Sequence, residues 1–126
     1  MPPDRLRFSV RARLRSIQHA IAGFRAFLHR EPNAKIHLSC TLLAAGAALL
    51  LKVSRLEALV LVLVTGFVWA AELFNTAIEK IMDHLSPGRH PAVQFIKDVA
   101  AAAVLVAALT ALLTGAFVFI PKLFSL

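Results

Sequence analysis

Apolar and polar positions divide this chain into four segments. In the first, Leu14, Ile17, Ile21, Phe24 and Leu28 recur at steps of three and four, which places them on one stripe of a helix. Arginines flank the stripe, and their stems can lie along lipid while their heads reach phosphate. Residues 1–35 therefore read as a basic amphipathic segment on the cytoplasmic surface of a membrane. Three apolar stretches follow. Residues 38–51 carry no charge and, extended back through Ile36 and His37, predict a first span at about 36–52. Residues 56–82, with an uncharged run at 58–71, predict a second at about 56–83. Residues 99–120 are uncharged throughout and predict a third at about 96–120, ended by Pro121 and Lys122. Twenty-two helical residues reach about 33 Å, enough to cross a hydrocarbon core of about 30 Å. No stretch alternates with period two, so a β-barrel is excluded.

The connections are short: residues 52–55 between the first two spans, and Ser86-Pro87-Gly88-Arg89-His90-Pro91, clear turn chemistry, between the last two. Such loops force an up-down-up bundle. With 126 residues, the chain is one membrane domain, 1–126, and its class is all-α: a surface helix plus three transmembrane helices. Composition agrees. Apolar residues make up 59% and charged residues 17%, with mean hydropathy +0.74, unlike a soluble globule or a disordered chain. Cys40 is the single cysteine, which excludes an internal disulfide or a cysteine metal cluster.

The net charge of +7 is unevenly spread. Eight of the 14 basic residues fall in the first 37 positions: Arg5, Arg7, Arg11, Arg13, Arg15, Arg25, Arg30 and Lys35, opposed by Asp4 and Glu31 alone. The remainder is nearly balanced. This asymmetry predicts an amino terminus on the cytoplasmic side of the membrane and argues against nucleic acid as a partner. No apolar core begins before Leu38, so the segment is not a secretory signal, and Glu31 at its close argues against an Arg-rich transit peptide.

Span two holds residues that a membrane should exclude. Glu72, Asn75, Glu79 and Asp83 lie at offsets 0, 3, 7 and 11, one polar stripe along one helix face. Lys97 and Asp98 stand just before the uncharged part of span three, and Glu31 ends the surface segment. The up-down-up topology predicts all of them at the inner membrane–water boundary. Each has a plainer reading, as a helix-joining polar seam, an interfacial anchor or a solvated charge. Together they suit phosphoryl transfer from a soluble nucleotide to a lipid hydroxyl. Carboxylates hold Mg²⁺ by a few oxygens while phosphates and water fill the other positions. A lysine neutralises phosphate charge, and a deeper carboxylate can take a proton from a hydroxyl. No G-x-x-x-x-G-K-[ST] loop is present, so P-loop chemistry is excluded.

The run Glu72-Leu73-Phe74-Asn75-Thr76-Ala77-Ile78-Glu79 followed by Asp83 resembles the signature of the small prokaryotic diacylglycerol kinases. Lys97-Asp98 with the following alanines, and Gly23-Phe24-Arg25-Ala26 leading to Glu31, are similar too; the likeness covers roughly residues 15–123. It implies a homotrimer with sites between protomers, ATP as co-substrate and Mg²⁺ as cofactor. It implies Glu72 as general base, Glu31 and Glu79 as holders of Mg²⁺ and nucleotide phosphates, and Asn75 as a positioning group. Lys97 would bind phosphate, with Asp83 and Asp98 in support. Glu31-x-Asn33-x-Lys35-Ile36-His37, His90-Pro91 and Pro121-Lys122-Leu123 look more like the undecaprenol kinase branch than the diacylglycerol branch, which leaves the acceptor lipid open.

The competing class is a small oligomeric ion or proton conductor lined by Glu72 and Glu79. A conducting path needs polar groups through the full membrane thickness. Here the outer half of every span is apolar, which favours a site at one depth. His19, His29, His84, His90, Cys40 and Trp69 read as interfacial or packing residues.

Overall fold

The computed structural model describes residues 7–126, so Asp4 and Arg5 of the basic segment lie outside the described residues. The chain divides into two compact units, Met1–Ile36 and His37–Leu126. In the first, α1 runs from Val10 to Arg30. Ser9 caps it, its side chain accepting from the Ala12 N–H at 3.3 Å. Leu14, Ile17, Ile21 and Phe24 are exposed as one apolar stripe, as a surface helix requires. Phe27, one turn beyond Phe24, is buried, with the two rings 6.4 Å apart.

The helix breaks at Glu31, whose backbone is extended (φ −100°, ψ 120°). The cause is the next residue: a proline clashes with a helical predecessor, and proline itself suits the first turn of a new helix. Thus α2 (Pro32–Leu50) starts four residues before the expected edge of the first span. Two residues past its end, Lys52 takes the left-handed conformation (φ 51°), while the Val53 N–H reaches back to the Ala48 carbonyl at 3.2 Å. That six-to-one bond closes the helix end in the way glycine usually permits; a lysine there costs about 1 kcal/mol.

A capping box opens α3 (Arg55–Leu85): Ser54 Oγ accepts from the Glu57 N–H, and Glu57 returns a bond to the Ser54 N–H. His90 caps α4 (Pro91–Phe124), its ring Nδ1 accepting from the Ala92 N–H, with Pro91 at the first helical position. This helix continues through Pro121, expected as its stop, to Phe124. So near an end, the proline costs one backbone bond and leaves little helix to kink.

The second unit is built on the antiparallel pair α3–α4, which pack along their length. Val68, Ala100 and Val118 are buried. Ion pairs stand at both ends of the pair: Asp83–Lys97 at 2.7 Å and Glu57–Lys122 at 3.1 Å. Their separations match, 26 residues along α3 and 25 along α4, so one register satisfies both. Three helices, α2 to α4, are long and apolar enough to cross a membrane. Large apolar side chains such as Leu43, Leu49, Phe67 and Phe117 point outward, inverting the pattern of a water-soluble core.

Candidate active site

Helix α3 has 31 residues and a length of about 46 Å, longer than the hydrocarbon core by about 16 Å. The polar stripe occupies its carboxyl-terminal part. Burial falls steadily along the stripe: Glu72 is 3% exposed and Asn75 8%, Glu79 is half-buried and Asp83 is open. Glu72 and Asn75 are the buried polar residues among the described residues, in a chain that turns most of its large apolar side chains outward. Burying a carboxylate without a partner is costly, so such a position needs a reason.

Two groups meet it. His37 Nε2, on α2, lies 2.7 Å from Glu72 Oε1. One turn further along α2, the Thr41 hydroxyl donates to the His37 carbonyl at 2.7 Å and accepts from Trp69 Nε1–H at 2.9 Å. The imidazole and indole rings sit edge to face, 6.4 Å apart. Asn75, one turn from Glu72, has its Oδ1 buried with no hydrogen-bond partner. An orphan of that kind costs about 1–3 kcal/mol. It marks a place where a ligand donor would be welcome.

At the shallower end of the stripe, Lys97 Nζ donates to Asp83 Oδ1 at 2.7 Å, and the charge of Glu79 also acts on it. Glu79, Asp83 and Lys97 thus gather where α3 and α4 emerge. Asp98 does not join them: exposed, it accepts from Gln94 Nε2 on its own helix at 2.8 Å. Glu31 belongs to the first unit, half-buried at the break between α1 and α2. Among the described residues no three of His, Cys, Asp and Glu form a group able to hold a metal ion.

Toward the other end of the bundle a groove of about 770 Å³ opens between α2 and α3. Small residues (Ala44, Ala45, Ala48, Ala58, Gly66) form much of its wall, and it ends at Thr41 and Trp69, beside the His37–Glu72 contact. The groove thus ends one helical turn from the buried carboxylate, since Trp69 lies three residues before Glu72 on α3.

Sequence reasoning missed His37, Thr41 and Trp69 as parts of this arrangement. Their signal was present as two short intervals, 37 and 41 on one helix and 69 and 72 on the next, each one turn apart. Nothing in either interval announces that the two faces meet.

The family profile described as prokaryotic diacylglycerol kinase matches residues 18–119. The chain is similar to an undecaprenol kinase of Bacillus subtilis, 34% identical over 111 residues, covering 86% of this chain and 89% of the relative. It is 36% identical over 113 residues to a diacylglycerol kinase of Synechocystis, covering 88% of this chain and 64% of that longer relative. A diacylglycerol kinase of Pseudomonas aeruginosa is 33% identical over 94 residues, 75% of this chain and 76% of the relative. With the profile spanning most of the chain, and with Glu72 and Asn75 of the motif buried on one face of α3, the chain belongs to the prokaryotic diacylglycerol kinase family.

Proposed function

We propose that this integral membrane protein is a lipid kinase that moves the γ-phosphate of ATP to the hydroxyl of diacylglycerol or undecaprenol. Such an activity would serve phospholipid or cell-envelope lipid metabolism in the bacterial inner membrane. The observation that carries the reading is the gradient along α3. A buried carboxylate lies one helical turn from the end of an apolar groove at Trp69, and charged groups stand about two and three turns further along the helix. A reaction between a lipid and a nucleotide needs an apolar and a charged environment side by side.

In this reading Glu72 takes the proton of the lipid hydroxyl as the oxygen attacks the γ-phosphorus and ADP leaves. Asn75, with its unpartnered buried oxygen, positions the reacting groups. Lys97 offsets phosphate charge, and Asp83 holds that lysine in place, with Asp98 in support from further out. Glu31 and Glu79 would hold a magnesium ion that arrives with the nucleotide. Hard carboxylate oxygens suit that ion, whose other positions are filled by phosphate and water. That ion would neutralise charge developing on the transferred phosphoryl group.

The chain buries Glu72 and Asn75 itself but leaves Glu79 and Asp83 partly or fully open, and neighbouring chains of the homotrimer that the family resemblance implies would cover them. The amino terminus and the charged end of α3 face the cytoplasm, following the basic bias of the first 37 residues. The test is transfer of labelled phosphate from ATP·Mg²⁺ to diacylglycerol and undecaprenol presented side by side in detergent. Labelled lipid in either arm supports the kinase reading, and the faster arm names the acceptor. No labelled lipid in either arm refutes it.

A further inference from the structure

The pairing of His37 with Glu72 has no counterpart in the roles just described. A carboxylate has two oxygens, and a base that rotates freely presents either at random. Here Oε1 is held at 2.7 Å by His37 Nε2. An ionised carboxylate has no proton to give, so the proton in this bond belongs to Nε2. The ring is itself secured. Its backbone carbonyl accepts from Thr41, Thr41 accepts from Trp69 Nε1–H, and the Trp69 ring meets the imidazole edge to face. Residues 37 and 41 on α2 and 69 and 72 on α3 close a loop of contacts around the base.

We propose that His37 is a positioning residue for Glu72, its Nε2–H fixing Oε1 and leaving Oε2 to take the proton of the acceptor hydroxyl. This rests on the kinase reading and deepens it. The hydroxyl O–H bond breaks and an O–H bond forms at Oε2. The lipid oxygen bonds to the γ-phosphorus of ATP, and the bond to the bridging oxygen breaks to release ADP. Throughout, the imidazole keeps its proton and its place.

The experiment compares His37→Ala, His37→Phe and His37→Gln with the unaltered protein and with Glu72→Gln. It measures kcat and the KM for ATP during lipid phosphorylation, with oligomer size and thermal unfolding recorded for each variant. Glutamine can place an N–H near the position of Nε2; phenylalanine fills the space without one. Misplacing a reacting group by about 1 Å costs about 10²-fold, so His37→Ala and His37→Phe should lower kcat by about that factor with the KM for ATP little changed. His37→Gln should recover at least about tenfold of that loss, and His37→Ala should add nothing in a Glu72→Gln background. Near-normal turnover in His37→Phe, no recovery in His37→Gln, or losses that multiply with Glu72→Gln would each overturn the positioning role. Absence of phosphate transfer by the unaltered protein, or normal turnover by Glu72→Gln, would instead overturn the kinase reading and take this proposal with it.

Discussion

Replacing Glu72 by glutamine separates the base from the nucleotide site more sharply than any other single change. The amide keeps the size of the side chain and can still pair with His37, so packing at this 3%-exposed position is preserved. What is lost is the ability to take a proton. General base catalysis contributes about 10²–10⁴ in rate, which is about 2.7–5.4 kcal/mol of barrier at about 1.36 kcal/mol per factor of ten. The removed charge also acts on nucleotide binding, and helix geometry bounds that effect. Glu79 lies seven residues from Glu72, about 10.5 Å along the axis. Across that distance one unit charge acts on another with about 1.6 kcal/mol at an effective dielectric of about 20, and about 0.4 kcal/mol in water. Mg·ATP affinity should therefore change by no more than about 15-fold for each unit of net charge bound there, while kcat falls by at least about 10². Equilibrium binding of Mg·ATP, measured beside single-turnover phosphate transfer, reads the two separately. Near-normal turnover, or a loss confined to nucleotide affinity, would refute the assignment of Glu72 as the base.

Other outcomes follow from the same placement. Glu79→Gln removes a proposed magnesium-holding carboxylate at the shallow end of the stripe and should abolish Mg²⁺-dependent nucleotide binding with unfolding unchanged; Glu31→Gln should weaken that binding similarly, and unaltered Mg·ATP affinity in both would count against the metal role. If sites are shared between chains of a trimer, mixing inactive Glu72→Gln and Glu31→Gln chains should restore part of the activity, whereas no recovery at any ratio would indicate self-contained sites. Trp69→Phe deletes the indole N–H that donates to Thr41 and should destabilise the bundle by about 1 kcal/mol in reversible detergent unfolding. An unchanged midpoint would show that this bond contributes nothing to holding α2 on α3.

The spans and the stripe were legible in the chain because both are local. A run of uncharged residues must leave water whatever surrounds it, and offsets of 0, 3, 7 and 11 fall on one helix face before any partner is known. The Glu31 break was legible in principle for the same reason, since Pro32 acts on its immediate neighbour. Asp98, adjacent to Lys97 in sequence, stands about 100° around the helix and pairs with Gln94, a contact within one helix. The partnership of His37 with Glu72, 35 residues apart, was decided by tertiary structure alone. It depends on which faces of α2 and α3 meet, and neither helix alone decides that. A histidine beside an apolar span reads the same whether it faces lipid, solvent or a buried carboxylate, because its hydrophobicity does not distinguish them; only the fold supplies the carboxylate.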